Sequence, residues 1–167
     1  MTHSGTFLIP RSADDVFDLV ANPESFAPLL PNYESMSMQD ATHFALRIAV
    51  AVGQINGHAT LAMELIEAAR PFLAEYRGQG TIAGSQLNLR IEFQITAEAE
   101  ATEVRWLGEV TLDAMMALLA GNLLEAMGRS NFDLMAERLH DRLRDATSGS
   151  PAETPSSELP SDLDFEI

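Results

Sequence analysis

His140 and Glu137 form a Glu-x-x-His pair, a spacing that puts two metal ligands on one face of a helix. A carboxylate-bridged metal pair needs that motif twice, with two further glutamates, and no second copy exists. The stretch "GQGTIAG", Gly78 to Gly84, has glycines spaced as in a phosphate-binding loop. Such a loop must lead from a strand into a helix N-terminus, so that its amides converge on the anion. Here the following residues alternate as a strand does, and the glycines are read as strand-end bulges. Paired inward carboxylates would serve acid–base chemistry, but Glu64, Glu75, Glu92 and Glu109 all fall on outward parity. His43 and His58 take the polar parity too. There is no Gly-x-Ser-x-Gly elbow and no cysteine, which removes thiolate nucleophiles, disulfides and Cys-ligated metals. The inward set keeps Tyr76 and the Trp106 indole as its only polar handles. It is a poor reaction vessel and a good apolar lining.

The elements that carry these residues are legible from period. "TFLIP", Thr6 to Pro10, reads as a first strand. Ser12 caps a helix with Asp14 and Asp15 in its first turn, where the dipole favours acids, and Asn22–Pro23 ends it. A second short helix runs from Pro23 to Leu30. The period then changes to two: Phe44, Leu46, Ile48, Val50 and Val52 form one inward set. Ile55, Ala59, Leu61, Met63 and Leu65 form the next, then Phe72, Ala74 and Tyr76, then Leu87 to Ile95, then Val104, Trp106 and Val110. Regular alternation of this kind means antiparallel strands with one buried face.

A long helix follows, Asp113 to Asp145. Leu112, Met116, Leu119, Leu123, Met127 and Leu134 make its main apolar stripe, with Ala117, Gly121, Leu124, Gly128 and Met135 alongside. Met63, Met116, Met127 and Met135 offer a pliable lining that can mould to an apolar ligand. Gly121 and Gly128 each cost about 1 kcal/mol against alanine in a helix, and let another group approach the backbone. The pocket expected between sheet and helix is lined by Leu61, Met63, Phe72, Trp106, Met116, Leu119, Leu123 and Met127.

Formal net charge is −15 with pI near 4.4, and all ten basic residues are arginine. Phosphate backbones and anionic headgroups repel such a surface, so nucleic acid is excluded as a partner and membrane contact is at most transient. No signal-peptide pattern opens the chain, and its longest uncharged run on the last helix falls well short of a span of about 20 residues. A cytoplasmic protein, at most peripheral at the inner face of the cell membrane, is expected. From Ala146 the composition turns to Ser, Pro and acids, which predicts a disordered acidic tail over 146–167 after a folded domain over 1–145. Its tip interleaves Leu159, Leu163, Phe165 and Ile167 with acids, a pattern suited to docking on a basic groove.

The order of strand, two short helices, antiparallel meander and long C-terminal helix resembles the helix-grip fold of the START-like (SRPBCC) superfamily. Within it the chain is similar to the CoxG family of carbon monoxide dehydrogenase subunits. The similarity runs through "FLIPRSADDVFDLVANPESFAPLLPNYESM", "IAVAVGQINGHATLAMELIE", "EYRGQGTIAG" and "LLAGNLLEAMGRSNFDLMAERL". It implies an α+β fold, a curved antiparallel sheet wrapped around the C-terminal helix. It also implies a pocket for a lipophilic molecule such as a quinone, with no covalent cofactor, and association with molybdenum-containing carbon monoxide dehydrogenase or a related molybdenum hydroxylase. Asn32–Tyr33 and Asp113–Ala114 depart from the family pattern at the pocket mouth. The acidic end favours docking or shuttling over stable anchoring. A non-catalytic carrier is the first expectation. A docking or assembly factor without a ligand is the second, and a cyclase-like enzyme of the same fold the third.

The tail cannot bury enough apolar surface to offset its ordering entropy. Deleting Ala146 to Ile167 should therefore leave the melting temperature unchanged, as measured by calorimetry, while weakening binding to a basic partner surface at low salt.

Overall fold

The computed structural model describes residues 1–52, 55–82 and 84–149. Seven strands form one antiparallel sheet in the order β1-β7-β6-β5-β4-β3-β2. Strand β1 (Thr2–Ile9) runs along β7 (Thr102–Leu112), and the meander from β2 (Tyr33–Met38) to β7 supplies the rest: β3 (His43–Val52), β4 (Ile55–Ala69), β5 (Leu73–Ile82) and β6 (Ser85–Ala97). Helix α3 (Ala114–Gly149) packs on the inner face against β1, β3 and β7. This is the expected helix-grip architecture.

Local chemistry sets the short elements. In α1 (Ala13–Val20), the Ser12 hydroxyl accepts from the Asp15 amide at 3.1 Å, and Val16, Phe17 and Val20 are buried. Helix α2 (Pro23–Phe26) is capped by Asn22 and runs on into a 3-10 turn, Ala27–Leu29. Asn32 then takes a φ of 62°, a left-handed conformation that asparagine tolerates better than most residues, and the chain enters β2. Sequence periodicity does not reveal this strand. It is a short edge element whose register with β3 shifts between Tyr33 and Ser35, which breaks the alternation.

The inward sets of β3, β4, β6 and β7 fall as their parity predicts: Phe44, Leu46, Leu61, Met63, Ile91, Phe93, Val104 and Trp106 are all buried. Three readings need correction. Phe72 is 62% exposed, because it belongs to the turn before β5, closed by its own amide on the Ala69 carbonyl at 2.7 Å. It shares the sequence parity of Ala74 and Tyr76, but the strand begins one residue later and Phe72 does not turn inward. Leu134 is 36% exposed, and the buried C-terminal face of α3 is Phe132, Met135, Leu139 and Leu143. Leu134 sits one position before Met135, about 100° round a 3.6-residue turn. Gly78 and Gly80 are not strand-end bulges but lie inside β5.

Gly78, with Gly5 and Gly108, makes room for a large neighbour, while Gly80 lies against the Thr60 carbonyl. Gly5 pairs directly with Trp106, and a Cβ there would lie 2.8 Å from the indole. Gly78 faces the Met63 thioether, and Gly108 receives the Phe132 ring from α3. Flat backbone beneath an aromatic ring lets the helix sit close to the sheet. A Cβ at Gly108 would overlap the Phe132 ring, so Gly108→Ala must push the ring and α3 outward. A cost of about 1–3 kcal/mol, the range for overpacking, is expected from urea unfolding.

Candidate ligand cavity

One end of the inner face is solid. The Phe26 ring stacks on Tyr76 at 5.0 Å between centroids and meets Phe93 edge-on at 5.3 Å, while Phe44 approaches Tyr76 at 6.1 Å. The Tyr76 hydroxyl donates to the Val20 carbonyl at 2.7 Å, and burial holds that phenol protonated well above its ordinary range. Aromatic rings and one satisfied hydroxyl pack this half of the inner face.

The other half is hollow. A cavity of about 120 Å³ lies between the sheet and α3. Its floor is Leu46 and Ile48 of β3, Leu61 of β4, Leu87, Leu89 and Ile91 of β6, and Val110 of β7. Gly128, Asn131, Phe132 and Met135 of α3 form its roof, and Leu30 and Pro31 close one side. A second cavity of about 110 Å³ shares Pro31, Ile48, Leu87, Val110, Gly128 and Asn131, and adds Asn32 and Met127. Gly80 of β5 pairs with Leu61 on one side and Leu87 on the other, and a Cβ there would overlap the Thr60 carbonyl.

The expected lining residues separate accordingly. Leu61 lines the first cavity and Met127 the second. Met63 is buried over Gly78, beside the solid half, and is not part of the described lining. Trp106 is buried against Gly5 and tilts toward Phe132 at 6.2 Å, one ring removed from the cavity. Met116 is buried at the start of α3, and Phe72 faces away. The side chains of Leu119 and Leu123, Gly121, and the tail residues Leu159, Leu163, Phe165 and Ile167 lie outside the described residues. Periodicity misses Asn131 and Phe132, because the stripe that leads from Met127 to Leu134 steps past them. The available signal is the helical step from Gly128 to Asn131, Phe132 and Met135.

Helix α3 is fixed over the cavity from both ends. The Asp113 carboxylate accepts from the Met116 amide at 3.0 Å and the Gln86 amide at 3.0 Å, and these bonds hold its pKa below the ordinary carboxylate value. Further along, Arg11 donates to the Leu143 carbonyl at 3.0 Å and Arg138 to the Leu30 carbonyl at 3.5 Å. The Met1 ammonium, at the edge of the second cavity, donates to the Val110 carbonyl at 3.0 Å, and the ionisable side chains sit elsewhere. Glu75, nearly buried on the outer face, is paired with Arg90 at 2.6 Å. His58 meets Glu34 at 2.7 Å, and His43 lies between Asp40 at 3.0 Å and Glu64 at 3.4 Å. Among the described residues no cluster of three or more His, Cys, Asp or Glu could hold a metal ion. No described helix is long and apolar enough to cross a membrane.

The sequence profile of CoxG, a carbon monoxide dehydrogenase subunit, matches residues 5–144. The chain belongs to the CoxG family. No curated protein sequence matches it significantly. Among solved structures, a conserved protein from Geobacillus kaustophilus superposes with a TM-score of 0.74 at 10% identity, over 87% of this chain and 97% of the other. A START superfamily protein from Mycobacterium smegmatis gives 0.66 at 12% identity, over 87% and 98%. The Zhui aromatase/cyclase from Streptomyces sp. R1128 gives 0.65 at 21% identity, over 91% and 96%. These identities establish the START-like fold and nothing narrower. The CoxG-family chain therefore has a ligand-binding type of fold whose hollow half is apolar.

The outer-face histidine gives a titration to check. The Asp40 carboxylate accepts from the Thr42 and His43 amides, which with the His43 ring hold its pKa down to about 2. Its bond to the His43 ring raises that imidazole above 6.5. The folded state thus holds the His43 proton more tightly, so this stabilisation is complete below pH 6.5 and fades as pH rises through the raised value. At the acid end, the Asp40 contribution is present above pH 3.8 and is lost as pH falls toward 2. An NMR titration should place His43 above 6.5, and Asp40→Asn should return it toward that value.

Proposed function

We propose that this CoxG-family protein is a non-catalytic carrier that holds a quinone-like lipophile for a molybdenum-containing carbon monoxide dehydrogenase. The observation that carries the reading is the apolar chamber between α3 and the sheet, lined by Leu46, Leu61, Leu87 and Val110 below and by Phe132 and Met135 above. A protein interior normally closes such voids, because unfilled apolar space forfeits contact energy. A void of about 150 Å³ lined by aliphatic side chains is enough to take one benzene ring. Two adjoining cavities of about 120 and 110 Å³ reach that size only together, and so suit one ring-bearing head that spans both. Family membership supports the dehydrogenase as the partner. The acidic tail, with Leu159, Leu163, Phe165 and Ile167 at its tip, is the segment we assign to docking on that partner. Loading from a membrane is brief in this scheme, since a net charge of −15 opposes anionic lipid.

The assembly-factor reading has one observation in its favour: Met115 and Leu118 at the start of α3 are 69% and 85% exposed, as a protein contact would use them. The two readings differ in what the purified protein contains. Organic extraction followed by mass spectrometry should recover a lipophile at near one per chain. A chain that is empty as isolated and also fails to bind added 2-methyl-1,4-naphthoquinone sinks the carrier reading. Val110 lines both cavities, so Val110→Phe should weaken uptake by about tenfold or more, equivalent to 1.4 kcal/mol, with the fold retained by circular dichroism.

A further inference from the structure

We propose that Asn131 is the residue that selects and orients the ligand, by hydrogen-bonding an oxygen on its ring-bearing head. The proposal rests on the carrier reading and names the chemistry of its cargo more narrowly. Asn131 is half-buried on α3 and faces both cavities. Among the described residues it is the one polar side chain lining the first cavity. Its carboxamide has no hydrogen-bond partner among the described residues, whereas Asn22 caps a helix with its own. A capacity for hydrogen bonding has been left open in a first-cavity wall whose other side chains are apolar, while the second cavity adds Asn32.

A hydrocarbon ligand would strip water from that carboxamide and replace nothing, which costs binding free energy. A ligand with a carbonyl or hydroxyl at that point restores the bond. The amide group also has a property that no charged side chain shares. It carries both N–H donors and a carbonyl acceptor. It donates to the carbonyl of a quinone and accepts from the hydroxyl of the corresponding hydroquinone, exchanging one for the other by turning about its last torsion. Arginine would favour the carbonyl form, and an aspartate the hydroxyl form. Asn131 therefore accommodates both redox states of one head group without itself taking part in electron transfer. The structure assigns this chain a cargo with at least one ring oxygen, held head-inward under α3, in either redox state.

The test compares three probes of similar shape: 2-methyl-1,4-naphthoquinone, its reduced 1,4-diol kept under anaerobic conditions, and 2-methylnaphthalene, which has no oxygen. Dissociation constants are measured by calorimetry for the wild type, Asn131→Leu and Asn131→Asp. In the wild type the quinone and diol should bind within about threefold of each other. In Asn131→Leu, the ratio of quinone to hydrocarbon affinity should fall by about 3–10-fold, the worth of one neutral hydrogen bond. Asn131→Asp, an acceptor when ionised, should keep the diol and lose the quinone. The Asn131 side-chain NH₂ signals should shift with the quinone and the diol but barely with the hydrocarbon. If the probes bind but the ratio is unchanged in Asn131→Leu, the role of Asn131 is overturned while the carrier reading stands. If none of the three binds the wild type, both fall together.

Discussion

The seat of Phe132 on Gly108 fixes the distance between helix and sheet, and the rest of the molecule follows from that distance. The ring descends on a strand position without a side chain, beside Trp106, which in turn lies over Gly5. Met135, Leu139 and Leu143 continue the contact toward the C-terminal end of α3. Asp113 ties the other end to the start of β6 through the Gln86 amide. Between these fixed points α3 spans the strands whose inward residues are modest in size, and it cannot drop further to fill the gap. The chamber is what remains when a rigid helix is held at both ends.

The two halves of the inner face then take different roles. Where α1 and α2 reach the sheet, Phe26, Tyr76, Phe93 and Phe44 interlock, and the Val20 carbonyl satisfies the Tyr76 hydroxyl. This end supplies rigidity. The other end is lined by aliphatic residues on β3, β4, β6 and β7 and by Met135 and Met127 above. Methionine is unbranched and polarizable, and adapts to irregular shapes at low cost. A stiff end and a compliant end share one sheet. Arg90 lies on the outer face between Glu75 and Glu92 at 2.6 and 2.9 Å, while the Met1 ammonium, at the edge of the second cavity, donates to the Val110 carbonyl at 3.0 Å.

Much of this architecture is legible in the order of residues alone. Alternation marks which side chains of β3, β4, β6 and β7 turn inward, because the period of two belongs to the strand itself. Ser12, Asn22 and the acids after Ser12 mark the helix starts for equally local reasons. What escapes such a reading depends on neighbours. Phe72 shares the parity of Ala74 and Tyr76, but β5 starts at Leu73 and Phe72 is left exposed in the turn before it. Strand β2 is an edge element whose shifted register removes the alternation. Leu134 belongs to an apolar stripe by spacing, yet the buried side of α3 depends on where the helix crosses the sheet. The chamber is the hardest feature to read, since it depends on where α3 stands over the sheet. Gly80 has the look of a turn signal, yet it lies inside β5 against the Thr60 carbonyl. Asn131 carries no signal of its own beyond its helical spacing from Gly128 and Met135.

The position of the single tryptophan has an optical consequence. Trp106 is buried and has Phe132 as its neighbour on the side of the chamber. Its emission is therefore that of a shielded indole, and Phe132, a ring of the chamber lining, lies 6.2 Å from it. A quinone is a strong electron acceptor and an aromatic hydrocarbon is not. The molecule thus carries its own gauge: the brightness of one indole records whether an oxidised ring lies beneath α3, with no label added.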